Sequence, residues 1–379
     1  MKKRLMAVLT SLCMMSALMP AAAFATGGNP GVGGTIPGSI KVGGVTLNSG
    51  GVVYAKTDTD GNVITEGADE ENYNIMWNGL NLTLNNAKIV HTDGCAIDAE
   101  GDLSITLEGN NTVSASDTGD EYEHFDKGLA AIHSTGDITI NDGGGKGIGS
   151  IDASVVNTVG NHADGIRAAG DINLDNVEVT AEGAKNLENS STPDYSNGIC
   201  SDSGDIDIYD NANVTAKSGF GKTSVAGINA ANGNVTIRGN ATVVASVSMR
   251  TAPMNEGDGT KVDGIRANGD VNIAEAAKVN AIGNVSAVTE PEYSGGIYSE
   301  TGDVVIAGEG TDVYADGGIA TKGVAGIHAH GGNVSISAKA NVEARVAAST
   351  KESLSMGGGA ALSLTVSGQA KTWISTMRR

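Results

Sequence analysis

Glycine followed by aspartate recurs along this chain, and the carboxylates so placed are its most pointed chemistry. Asp102, Asp137, Asp171, Asp205, Asp270 and Asp303 each follow a glycine, and Asn234 and Asn333 hold the same place twice. Stacked in register about 5 Å apart, such carboxylates repel one another even in a watery setting. Calcium would relieve that repulsion by bridging neighbours, since it accepts about six to eight oxygen ligands. The plainer reading is an Asx turn, each side chain bonding its own backbone, which tolerates Asn as well as Asp. Asp164 and Asp263, each just before Gly-Ile-Arg, are placed to add ligands from the neighbouring corner. Asp58-x-Asp60-Gly61 looks like half a calcium loop but lacks the distal Glu at its fixed spacing, so it reads as a hairpin turn.

A second set of candidates would hold a sugar. Tyr195 and Tyr293 lie in long insertions and are preceded by Asp194 and Glu292, and Tyr122 occupies a comparable insertion earlier. An aromatic face suits the C–H face of a pyranose, and an acidic neighbour can accept hydroxyl hydrogens. Each Tyr could equally fold over its own loop as a small satellite core. Arg167 and Arg266 follow a core isoleucine, so strand alternation turns them outward as solvated side chains. Their column reads Asp98, His133, Arg167, Cys200, Asn229, Arg266, Tyr298, His328, without a concentrated constellation. The histidines show no consistent metal spacing, and no phosphate loop, nucleophile elbow or Cys-based zinc set is present.

The elements that must position these residues are written as a repeat. Ala96-Ile97, Ala131-Ile132, Gly165-Ile166, Gly198-Ile199, Gly227-Ile228, Gly264-Ile265, Gly296-Ile297 and Gly326-Ile327 are spaced by 29 to 37 residues, each leading into Gly-Asp or Gly-Asn. Repeats of this length mean a solenoid. Within each copy apolar and polar residues alternate, as in Ile138-Thr139-Ile140 and Val271-Asn272-Ile273, so the unit is a strand. Three short strands separated by Gly or polar corners make one turn of a parallel β-helix. The chain is therefore expected to be all-β, a parallel β-helix of about nine to ten rungs with a hairpin-like N-terminal cap. Insertions fall mostly before the next Gly-Ile and should line up along one side.

A longer period lies over the short one. Ile166, Ile199 and Ile228 return as Ile265, Ile297 and Ile327, at offsets of 99, 98 and 99 residues. Asp164-Gly-Ile-Arg167 matches Asp263-Gly-Ile-Arg266, and Pro193-Asp194-Tyr195 matches Pro291-Glu292-Tyr293. Any site on this block exists twice, which suits a binding surface better than a reaction centre.

The remaining segments set the context. Residues 1–25 read as a secretory signal, with Lys2, Lys3 and Arg4, an apolar run from Leu5 to Met19, and Ala23-Phe24-Ala25. Residues 26–40 form a Gly/Pro-rich linker, 41–74 the N-terminal cap, and 75–348 the β-helix with duplicated blocks at about 155–250 and 255–348. Residues 349–379 form an atypical tail. No stretch is long enough to span a bilayer. The formal charge of −20 speaks against nucleic acid and anionic membrane and for cations. Cys95 and Cys200 sit on copies three apart, about 14 Å along a solenoid, too far for a disulfide. Aromatic residues are 3% of the chain, which suits a narrow core of Ile, Val and Ala.

Val42-Gly-Gly-Val45, Leu82-Thr-Leu-Asn-Asn-Ala87-Lys-Ile89 and the repeated Gly-Ile-x-x-x-Gly-Asp step resemble the secreted β-helix proteins of clostridia and related gut bacteria. Many of these are grouped as carbohydrate-binding domain-containing proteins, similar in fold to pectate lyases. The resemblance covers most of residues 40–345. It implies a right-handed β-helix, secreted or at a bacterial cell surface, that binds extracellular polysaccharide with the help of calcium. Pectate-lyase-like enzymes place an Arg or Lys base beside calcium-binding carboxylates, a list of parts that Arg167, Asp164 and Asp171 mimic. Non-catalytic polysaccharide binding is the expected function. An adhesive rod binding a host or neighbouring-cell protein is the alternative, and a polysaccharide lyase the third reading.

Overall fold

The computed structural model describes residues 37–117, 128–144, 148–156, 161–185, 193–219, 221–247, 261–284, 291–346 and 365–367. Expectations for the signal segment, for Tyr122 and for most of the tail lie outside these residues. Among the described residues every regular element is a strand, and no helix is long and apolar enough to cross a membrane.

The alternating pattern builds three sheets that the chain visits in turn. The first begins its parallel run at Ile97–Ala99 and passes through Leu129–Ser134, Ala163–Ala168, Tyr195–Ser201, Ser224–Ala230, Lys261–Ala267 and Tyr293–Ser299 to Gly323–Ala329. The second runs from Asn81–Asn85 and Leu103–Glu108 to Val334–Ser337, and the third from Lys88–His91 and Asn110–Asp117 to Asn341–Arg345. Each strand therefore pairs with its counterpart one turn away rather than with its sequence neighbour. That is a parallel β-solenoid.

Register holds because a one-residue slip would turn every core side chain to solvent. On the first sheet Ile132 pairs with Ile97 and Ile166, and the ladder continues through Ile199, Ile228, Ile265 and Ile297. On the third, Val179, Val214, Val243, Val279 and Val313 stack beside Ala181, Ala216, Ala245, Ala281 and Ala315. All of these are buried in one continuous core. Each fully buried Ile or Val contributes about 1.5–3 kcal/mol of transfer free energy.

Corners between the second and third sheets need left-handed backbone. Asn86, Asn176 and Asp210 have φ of 52°, 49° and 58°, and Gly109 and Gly239 take the same corner in other turns. Asn, Asp and Gly reach that region most readily.

The start of the rod is antiparallel. Ser39–Val42 pairs with Val45–Asn48 on one side and with Ile97–Ala99 on the other. Val53–Thr57 pairs with Ile75–Trp77, which in turn pairs antiparallel with Asn81–Asn85. Ile75, expected to open the parallel β-helix at 75–348, instead lies on an antiparallel strand, and parallel stacking on the second sheet begins at Asn81. The side chains of Ile75 and Trp77 are fully buried against the solenoid core. At the other end, the backbone of Thr365–Ser367 pairs parallel with Val334–Ser337.

Candidate functional site

The Gly-Asx corners join the first sheet to the second. There the side chains bond between turns, not within their own. The backbone N–H of Asp137 donates to Asp102 Oδ1 at 3.0 Å, and those of Asp171 and Asp205 donate to Asp137 and Asp171 at 2.8 Å. Asn234 N–H donates to Asp205 at 2.8 Å, and Asp270 N–H to Asn234 Oδ1 at 2.7 Å. Asp303 and Asn333 extend the chain onto Asp270 and Asp303, both at 2.7 Å. The Asx turn closed on its own backbone is therefore replaced by a ladder that knits successive turns. A side-chain carbonyl oxygen serves as well as a carboxylate, which is why Asn fits at 234 and 333.

The ladder also explains the preceding glycine. A Cβ on Gly170 would lie 2.0 Å from Asp137 Oδ1, and one on Gly136, Gly204, Gly269 or Gly302 would lie 2.3 Å from the side-chain oxygen below. Only a residue without a side chain lets that oxygen reach the next N–H. Burial pushes the Asp137 carboxyl above the usual range, opposed by the Asp171 N–H and reinforced by the charges of Asp102 and Asp171. One oxygen of each member from Asp102 to Asp303 is committed to the next turn, and the carboxylates among them line up along the rod.

Asp164 and Asp263 do not join this column. Both sit on the outward side of the first sheet, buried. Asp164 Oδ1 accepts from the backbone and side-chain N–H groups of Asn197, both at 2.8 Å. Its Oδ2 lies 4.0 Å from Arg167 Nε and 3.6 Å from His162 Nδ1. Neither Asp164 Oδ2 nor His162 Nδ1 has a hydrogen-bond partner, although both atoms are buried. Arg167 grips Asp202 from the next turn, Nε at 3.2 and 3.1 Å from its two oxygens and Nη2 at 3.0 Å.

The second block rebuilds this arrangement with different side chains. Arg266 Nη1 lies 3.6 Å from Asp263 Oδ2, and its Nη2 donates to Glu300 at 3.2 Å. Lys261 and the Tyr298 hydroxyl both donate to the same Glu300 oxygen at 3.1 Å. Burial raises the Asp263 carboxyl to about 6, against the pull of Arg266 and Lys261. Burial also works on Glu300, yet Lys261, Tyr298 and Arg266 outweigh it and hold that carboxyl below its usual range. Burial and Glu300 together push the Tyr298 hydroxyl up.

These contacts correct one expectation. The side chains of Arg167 and Arg266 are only 14% and 16% exposed and are ion-paired, so they are not freely solvated. Asp202 and Glu300 were missed as their partners. The signal was present, because the two acids lie two residues beyond Cys200 and Tyr298, at the same offset as the rest of the block.

The two tyrosines start strands of this same face. Tyr195 stacks on His162, ring centroids 4.6 Å apart and planes 18° apart. Tyr293 stays 44% exposed, its ring lying against Gly323. Asp194 lies 3.9 Å from Lys222 Nζ, and Glu292 accepts from Lys322 Nζ at 2.5 Å. The backbone carbonyls of Asp194 and Glu292 accept from Thr223 and Lys322 N–H at 2.8 and 2.9 Å, which fixes where each Tyr begins.

Burial pushes the Cys95 thiol up to about 12 and the Cys200 thiol well above its ordinary value. Together these elements define the chain as a β-solenoid with a duplicated polar face on its first sheet. Comparisons with family models, with curated proteins and with solved structures give no match.

Proposed function

We propose that this protein is a secreted or cell-surface rod that binds extracellular polysaccharide without catalysis, through the outward face of its first sheet. In this reading the rod is right-handed, has about nine to ten rungs, and is capped at its start by the antiparallel strands. The observation that carries it is the duplicated set of Tyr195, Asp164, Arg167 and Asp202 with Tyr293, Asp263, Arg266 and Glu300. Three turns separate the two sets, about 14 Å at roughly 4.8 Å per turn. A polymer with a regular repeat can meet both at once, whereas a single sugar can meet only one.

The chemistry of each set favours holding over reacting. The guanidinium of Arg167 is gripped by Asp202 and that of Arg266 by Glu300, so neither is poised as a base. Tyr293 offers an open ring face, and the paired acids and cations beside it suit hydroxyl and carboxylate groups on a glycan. Calcium enters as a bridge between acidic glycans and the corner carboxylates, supported by their stacking and by the net charge of −20.

Affinity electrophoresis through gels containing acidic or neutral polysaccharides, with calcium or with chelator, tests this. Retardation in an acidic polysaccharide gel is expected, weakened by chelator. Linked sites can gain about 10²–10⁴ in avidity over single ones, so oligosaccharides too short to span both sets should compete poorly. Equal mobility in every gel, with or without calcium, would overturn the reading.

A further inference from the structure

The first two turns carry a group that the other described turns do not repeat. Strand pairing sets His133 directly beside Asp98, and His133 Nδ1 lies 2.7 Å from Asp98 Oδ1. Cys95 precedes Asp98 by three residues on the same segment. One ligand atom from each of Cys95, Asp98 and His133 falls within 4.8 Å of the others, and all three residues are half-buried. Among the described residues this is the one such group.

We propose that Cys95, Asp98 and His133 form a binding site for a borderline divalent metal ion of the zinc type. A sulfur, an imidazole nitrogen and a carboxylate oxygen match the donors that Zn²⁺ takes in tetrahedral sites, with a fourth position left to water or a ligand. Calcium, which takes oxygen donors, is excluded by the same set. The surroundings are those of a prepared site. The Ala130 N–H points at Cys95 Sγ from 3.4 Å, the kind of outer contact that orients a sulfur ligand. A thiolate and a carboxylate would balance the charge of the ion. Arg167, which also acts on Cys95, is already offset by Asp164 and Asp202.

The sequence of the rod supports a local role. Two residues before the core isoleucine, Cys95 has as counterparts Ala130, Asp164, Asn197, Ala226 and Asp263. Ala130 in the very next turn shows that the backbone needs no cysteine there. This site lies on the same sheet, His133 pairing with Arg167 of the next turn, but it uses none of the duplicated side chains as a ligand and does not depend on glycan binding.

Cobalt titration of the full chain under reducing conditions tests it, because Co²⁺ bound by thiolate gives a near-ultraviolet sulfur-to-metal charge-transfer band. The band should saturate at a single equivalent, and Zn²⁺ should displace it. Cys95→Ala should abolish the band, and Cys200→Ala should leave it intact. His133→Asn should keep the fold, read from the thermal transition, and weaken Co²⁺ and Zn²⁺ binding by at least about tenfold. No band in the unaltered chain, a band that survives Cys95→Ala, or unchanged affinity in His133→Asn would overturn the proposal.

Discussion

The Gly-Asx corner and the outward face of the first sheet are built on the same stacked register, yet they use it in opposite ways. At the corner Asp or Asn repeats from Asp102 to Asn333, and each side-chain oxygen up to Asp303 holds the backbone of the next turn. On the face the residues change at every step, from Asp98 through His133, Arg167 and Cys200 to Tyr298, and they bond one another in local groups. Repetition marks where the backbone must be satisfied. Variation on a rigid frame marks where chemistry has room to differ.

The sharpest way to break the corner is to fill the space that its glycines keep open. A Cβ on Gly233 would lie 2.0 Å from the carbonyl oxygen of Gly204 and 2.7 Å from Asp205 Oδ1. Because backbone must move, Gly233→Ala is expected to cost about 3 kcal/mol, at the upper end of overpacking, in urea unfolding. A cost below about 1 kcal/mol would show that the turns are free to separate.

On the face, the largest effect should be a pH dependence. Folded Asp263 keeps its proton to about 6, whereas its ordinary value is 3.8. Its contribution therefore makes the fold less stable as pH rises from about 4 to about 6, and leaves it at the lower level above. Asp263→Asn removes that slope. Relative to the unaltered protein it should gain on the order of 2–3 kcal/mol between pH 4 and pH 7. Parallel stability curves for the two proteins would contradict the burial argument.

A pair of substitutions separates a bonding role from a charge role at the corner. Asp171→Ala leaves the Asp205 N–H without its acceptor and should cost about 1–3 kcal/mol. Asp171→Asn keeps the acceptor, as Asn234 does, and should lie within about 0.5 kcal/mol of the unaltered chain. Equal losses in both would show that the charge, rather than the hydrogen bond, is what the corner needs. The smallest effect belongs to the exposed pair of Lys339 and Glu309. Lys339→Ala should shift the unfolding midpoint by no more than surface pairs do, about 0–1 kcal/mol.

Much of this comparison was legible in the chain and some was not. The Gly-Ile and Ala-Ile steps and the alternation of Ile138-Thr139-Ile140 were enough for stacked parallel strands, because period and spacing are local properties of the text. The corner was legible as a column but not as a ladder. Nothing in Gly-Asp alone tells whether the side chain bonds its own turn or the next, and that depends on the glycine letting the turns approach. Arg167 read as solvated because its partner Asp202 lies in a different copy. Cys95, Asp98 and His133 escaped for the same reason, although aligning Ile97 with Ile132 already sets Asp98 beside His133. Contacts between copies appear only once the copies are stacked.

The most direct test of the division between a building corner and a binding face is retardation in an acidic polysaccharide gel. It would compare Asp171→Asn with the double variant Tyr195→Ala/Tyr293→Ala, both checked for an unchanged thermal transition. Retardation should survive Asp171→Asn, because the other corner carboxylates still serve calcium, and be lost in the double variant. Loss in Asp171→Asn with the tyrosine variant unaffected would contradict the account and move binding to the corner.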